Sequence, residues 1–131
     1  MPIAVDTNVL ARALVDDGSE QSARARTLLA EEDVFIGDTV LLETEWLLRS
    51  VMKVGRVDLD RLFSVLVATT NVSFADRRRI ANCIIAQRMG LDFADALHLF
   101  SADGNDAFAT FDQDLQHKSK TLSNGIPVVP A

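Results

Sequence analysis

At 131 residues the chain has room for one domain with a real core, and 48% hydrophobic residues with only 6 Gly and 3 Pro argue against a disordered tail. A formal net charge of −6 argues against a protein that coats nucleic acid through a basic surface, while leaving room for an enzyme acting on nucleic acid or for a basic protein partner. No apolar run reaches the roughly eighteen residues of a membrane span, and the start lacks a signal-peptide pattern, so a single cytoplasmic domain over residues 1–131 with no membrane partner is expected.

Ile3-Ala4-Val5 reads as a short buried strand that ends at Asp6, with Thr7 and Asn8 suited to starting a helix that continues to Val15. Asp6 then lies at the carboxyl end of a strand, the edge where open α/β sheets bind ligands, although a plain N-cap aspartate would read the same way. Asp16-Asp17-Gly18 is a turn, Ser19 caps a second helix through Leu28 and Leu29, and Val34-Phe35-Ile36 is a second strand. From Asp38 or Thr39 a third helix runs through Trp46 to Met52, with Gly55 as its stop. Within it Glu43 is expected on the apolar side, where a carboxylate needs a partner or a cation, and Glu45, about 200° further round, is expected in solvent. Trp46 is expected to be buried.

Asp58 is read as the cap of a fourth helix, in which Leu59, Leu62, Phe63, Leu66 and Val67 make a clean apolar stripe. Val72-Ser73-Phe74 is a third, very short strand, and Asp76 is read as the cap of a helix that opens on Arg77, Arg78 and Arg79. Those three bases oppose the helix dipole and read as a solvated charge run before they read as a phosphate site. Cys83, the only cysteine, lies among isoleucines and is expected in the core. After Gly90, Asp92 and Asp95 have the spacing of a helix cap, yet Asp95 sits among Phe93, Ala94, Ala96 and Leu97, a more buried setting than a surface cap needs. His98 is expected to be a partly buried helix residue and not a zinc ligand. Phe108-Ala109-Thr110 repeats the opening theme, a strand running into Asp112 where a helix begins, with Asp114 expected to point elsewhere. Ile126 to Val129 is a last strand, placed at a sheet edge because Pro127 cannot donate to a ladder.

Short strands alternating with helices predict an α/β fold, a three-layer α/β/α sandwich with a central, mainly parallel sheet. Asp6, Glu43, Asp95 and Asp112 would then border one sheet edge. Carboxylates gathered there repel one another unless cations neutralise them, and metal-assisted phosphodiester hydrolysis is a chemistry that uses such a cluster. One ion or two is not legible at this stage.

These stretches, VDTNVL, LLETEWLL, DFADALHL and FATFDQDL in that order, resemble PIN-domain ribonucleases, and specifically the VapC-type toxins of toxin–antitoxin pairs. The resemblance spans nearly the whole chain. It implies that Asp6, Glu43, Asp95 and Asp112 are the catalytic, metal-binding acids, supported by the polar Thr7, Asn8 and Thr110. It also implies a Mg²⁺- or Mn²⁺-dependent endoribonuclease that cuts single-stranded RNA to leave a 5′-phosphate, a homodimer, and inhibition by a VapB-like antitoxin whose tail reaches the acidic site. Asp112 and Asp114 compete for the fourth position, and Asp112 is preferred because it follows the Thr110-Phe111 strand end. Two other readings remain at this stage. One is a catalytically silent PIN scaffold that binds a partner; the other is a Mg-dependent phosphatase, weakened because Asn8 stands where its second aspartate would be. No Walker A or GxGxxG loop is present. The RNA target is not legible, and no aromatic platform for stacking stands out; Arg49, Lys53, Arg56 and Arg77 to Arg79 are open as phosphate contacts.

Overall fold

The computed structural model describes residues 1–131, which form two compact units, Met1–Arg77 and Arg78–Ala131. In the first unit, β1 (Ile3–Ala4), β2 (Val34–Ile36) and β3 (Val72–Phe74) form a parallel sheet in the order β1-β2-β3. Ile3 stands opposite Val34, and Val34 opposite Val72. Val34 and Ile36 are completely buried on the middle strand, the pattern of a parallel sheet covered by helices. Asn71 fixes the approach to β3: its amide donates to the carbonyls of Leu29 and Glu32, both at 2.7 Å, and so occupies acceptors at the end of the second helix.

Helices α1 (Thr7–Leu14) and α2 (Glu20–Glu31) follow β1 as a hairpin. The fully buried Ser22 hydroxyl donates to the Arg12 carbonyl at 2.6 Å, and Ser19 caps α2 by accepting from the Ser22 N–H. Helix α3 (Asp38–Trp46) continues into a π-helical turn, Leu47–Val51, before α4 (Arg56–Ala68). That turn corrects the expected helix end. Gly55 is the N-cap of α4, Asp58 lies inside its first turn, and the chain reverses at Lys53, whose φ of 57° is the left-handed conformation usually left to glycine. On α4 the apolar stripe is as expected, with Leu59, Phe63 and Leu66 buried.

The second unit contains most of α5 (Arg77–Arg88), then α6 (Phe93–Ser101), β4 (Phe108–Thr110), α7 (Gln113–Ser119) and β5 (Val128–Pro130). β4 and β5 pair in parallel, Phe108 opposite Val128 and Thr110 opposite Pro130. Pro127, lacking an N–H, takes part through its carbonyl, which accepts from Phe108 at 2.8 Å. Cys83 is buried in the core with Ile80 and Ile84, as its apolar neighbours predict. Gly125 is required where it stands: its φ is +97°, and a Cβ would come within 3.2 Å of the Phe100 ring. Gly90, at φ +103°, closes α5 as expected.

All strand pairings are parallel and helices intervene between successive strands, so the α/β class read from the sequence is the fold observed. No helix is long and apolar enough to cross a membrane.

Candidate active site

In the first unit the backbone leaves β1 at Val5 and turns into α1 at Asp6, which is the N-cap of that helix. Its Oδ1 accepts from the Val9 N–H at 3.0 Å, one of the donors that no helical carbonyl can reach. Thr7, next in the chain, donates its hydroxyl to Oε1 of Glu43 on α3 at 2.5 Å, so the loop after β1 and the first turns of α3 are joined at two of the expected residues. Asn8 accepts from the Arg12 guanidinium at 3.3 Å, and Arg12 is itself held by Asp17 at 3.0 Å. Asp6, Asn8 and Glu43 are exposed and Thr7 is half-buried.

In the second unit Asp112 repeats the role of Asp6. It is the N-cap of α7, and its Oδ1 accepts from the N–H groups of Asp114 (2.9 Å) and Leu115 (3.1 Å). Thr110 holds the turn, with its hydroxyl accepting from the Asp112 N–H at 3.0 Å and its carbonyl from the Gln116 amide at 3.1 Å. Asp95, in the first turn of α6, is half-buried, and its carboxyl is raised above the ordinary aspartate value. Burial is the main cause, followed by the charges of Asp92 and then Asp112; His98 opposes the shift and Asp114 adds to it. The second unit therefore brings Asp95 and Asp112 into one electrostatic neighbourhood, together with Asp92 and Asp114.

Several expectations need correction. Glu43 faces solvent and Glu45 is buried, at 1% exposure, where its carboxylate accepts from the Arg49 guanidinium at 2.7 Å. The two glutamates do lie on different sides of α3, but the apolar side is the one holding Glu45. Trp46 is 54% exposed and His98 is exposed, both expected to be at least partly buried. Arg77 is neither solvated nor a phosphate site: it donates to the carbonyls of Val67 and Val72 and stacks 5.1 Å from the centre of the Phe74 ring. Asp92 is the N-cap of α6 but its side chain makes no cap hydrogen bond, so the capping-box explanation for the Asp92/Asp95 spacing does not hold. Asp92 and Asp114 are the acids that sequence reasoning underweighted. Asp92 lies three residues before Asp95, hence on the same side of the helix start, and Asp114 influences Asp95 even though it pairs with Lys118 at 2.9 Å.

The donor set is entirely oxygen, carboxylate with hydroxyl and amide beside it, which suits a hard divalent cation and not zinc or copper. No three or more His, Cys, Asp or Glu side chains gather into a formed metal centre. What the second unit does show is excess negative charge around a half-buried carboxyl, the electrostatic condition that a bound cation relieves.

A strand-end acid that opens a helix occurs twice, Asp6 and Asp112, on an α/β fold with parallel strands, which defines the class as a site-bearing α/β domain with carboxylates at strand ends. The PIN domain family model matches residues 3–120, and the chain belongs to that family, whose members are generally nucleases that use divalent metals. No curated protein and no solved structure gives a match.

Proposed function

We propose that the chain is a Mg²⁺- or Mn²⁺-dependent endoribonuclease acting as a VapC-like toxin, with Asp6, Glu43, Asp95 and Asp112 as its catalytic and metal-binding acids. The observation that carries this reading is the PIN family match over residues 3–120, on a fold in which Asp6 and Asp112 each cap a helix that follows a strand; the raised carboxyl of Asp95 beside Asp92, Asp112 and Asp114 agrees with it. Such crowding disfavours the charged form of Asp95 in the protein alone, a cost that a bound cation would offset.

The chain's own residues supply orientation. Asp6 and Asp112 each commit Oδ1 to backbone N–H groups, which fixes the carboxylate plane and leaves Oδ2 for a ligand. Thr7 orients Glu43 in the same manner, and Thr110 holds the backbone of Asp112. A bound divalent cation would stabilise negative charge developing on the phosphodiester and lower the pKa of a coordinated water. Asp95, the acid with the least solvent and the most like charge around it, is the group most relieved by that ion.

A net charge of −6 supports the remaining parts of the proposal: a basic VapB-like antitoxin that reaches the acids through an arginine, and inhibition by charge neutralisation without metal. The toxin acts as a homodimer in the cytoplasm. The test is cleavage of total cellular RNA by purified protein with and without Mg²⁺ or Mn²⁺, with mapping of new 5′-phosphate ends. Wild type cuts only with metal, and Asp6→Asn and Asp95→Asn do not cut. Intact cleavage by Asp6→Asn protein made free of wild type would refute the assignment.

A further inference from the structure

The residue between Thr110 and Asp112 is Phe111, and it is 87% exposed. Phe is normally withdrawn from water, because its ring area is worth about 2 kcal/mol or more when covered. The other exposed aromatic, Trp46, lies just before a π-helical turn that ends at Val51, and Val51 and the following Met52 are exposed as well, so more apolar side chains are exposed along that stretch of chain. Phe111 differs. Its chain neighbours on the acid side are Asp112, Gln113 and Asp114, all exposed and polar, and Thr110 before it is half-buried and hydrogen-bonded within the turn. Those neighbours on the acid side add no apolar group to the ring, whereas the core of a protein interface needs several in contact. The ring offers a complete π-face to an unpaired base.

Its position is fixed independently of its exposure. Thr110 ends β4, Asp112 caps α7 with two backbone hydrogen bonds, and Phe111 is held between those two anchored residues. The ring is thus carried on a rigid turn, with its Cα about 3.8 Å from that of Asp112. A nucleotide whose phosphate lay at Asp112 would be one residue along the chain from that ring, close enough in sequence for its own or the adjacent base to be offered a stacking partner.

We infer that Phe111 is a base-stacking platform that positions an unpaired nucleotide of a single-stranded RNA substrate beside the scissile phosphate at Asp112. The inference rests on the ribonuclease reading above. The platform reads no hydrogen-bond pattern, so it selects unpaired over paired bases and contributes binding that tolerates sequence. The four acids of this region repel a phosphate chain unless cations offset them, so stacking contributes only in the presence of divalent metal.

The test compares wild type with Phe111→Ala, Phe111→Leu and Phe111→Trp by fluorescence anisotropy on a single-stranded RNA oligonucleotide, with Ca²⁺ present and then with EDTA. KM and kcat for cleavage in Mg²⁺ or Mn²⁺ are measured alongside. Phe111→Ala should weaken Ca²⁺-dependent binding about ten- to a hundred-fold and raise KM accordingly, at unchanged melting temperature. Phe111→Trp should bind as well as wild type or better, and Phe111→Leu should resemble Ala, because it keeps apolar area and loses the π-face. Duplex RNA should show no difference among the variants. Equal single-strand binding by wild type and Phe111→Ala, or full rescue by Leu, would overturn the platform while leaving the nuclease reading intact. A Phe111→Ala protein that binds RNA normally and loses self-association or a protein partner would assign the ring to an interface and overturn it too. If wild type neither binds nor cuts RNA with metal, the ribonuclease reading itself has failed and the platform falls with it.

Discussion

Replacing Asp112 by Asn and by Ala separates its two jobs. As N-cap of α7, Asp112 satisfies the Asp114 and Leu115 N–H groups through Oδ1 at 2.9 and 3.1 Å. Asn presents the same amide oxygen and caps about as well, whereas Ala presents nothing and costs about 1 kcal/mol. In a chain of 131 residues that loss lowers Tm by about 3 to 5 °C. Asp112→Asn also gives up its favourable charge at a helix N-terminus, about 0.3 to 1 kcal/mol, but relieves the repulsion it exerts on Asp95, so the net change is near zero. Metal response divides the variants differently. An ion present at a hundred times its dissociation constant stabilises the native state by about 2.7 kcal/mol, a rise large enough to read by scanning fluorimetry. Wild type should show the Mg²⁺ or Mn²⁺ shift, and Asp112→Asn should lose most of it along with RNA cleavage despite its near-normal Tm in EDTA. Two results would refute the reasoning: a Tm for Asp112→Asn as low as for Asp112→Ala, or a metal shift in Asp112→Asn equal to that of wild type.

Asp95 and the two glutamates of α3 give sharper contrasts. The folded carboxyl of Asp95 is raised above its ordinary value of 3.8, so between that value and the raised one the folded chain holds a proton that the unfolded chain has released, and stability falls as pH rises through the window. In EDTA, urea denaturation should therefore find Asp95→Asn more stable than wild type at neutral pH, with the difference vanishing below about pH 4; a variant less stable at pH 7 would contradict the electrostatic account. Glu43→Gln changes an exposed side chain and should stay within about 0.5 kcal/mol of wild type while losing cleavage. Glu45→Gln weakens a buried, charge-assisted hydrogen bond to Arg49 and should cost about 1.5 to 3 kcal/mol in the same denaturation assay while keeping cleavage per folded molecule; the reverse pattern would exchange their roles.

The α3 glutamates also mark where sequence reasoning reaches its limit. Helical geometry separates Glu43 from Glu45 by about 200°, and they do lie on different sides, one exposed and one buried. Angular spacing supplies that difference but not its sign. Leu41 and Leu42 precede both acids, so either side of the helix looks apolar, and the π-helical turn at Leu47–Val51 breaks the 3.6-residue phase by which later residues would decide. Trp46, beside Glu45, was misplaced for the same reason. The strand positions and the acids after them were legible because they depend on nearby residues only: Val34 to Ile36 is an apolar run closed at once by Gly37, and Phe108 to Thr110 is followed by Asp112 one residue on, although the first strand, expected to be buried, has Ile3 and Ala4 exposed. Lys53 was not legible, since a left-handed residue before a helix is expected to be glycine and Gly55 was two positions away. Arg77 was missed because its partners are main-chain carbonyls of Val67 and Val72, which no side-chain pattern reveals.

Capping and catalysis are not competing explanations of Asp6 and Asp112. A cap uses one oxygen and needs no charge; Asn would serve both positions at almost no cost in capping. The charge adds only about 0.3 to 1 kcal/mol at each helix start, and around Asp95 it works the other way, because Asp92, Asp112 and Asp114 each push that half-buried carboxyl toward its neutral form. An amide at position 112 would remove one of those charges and keep the cap of α7. A fold needing only its helix starts has no use for four acids here. On the proposed reading a divalent cation at Asp112 would give that charge a use, with one carboxylate oxygen anchored to the backbone and the other left to bind.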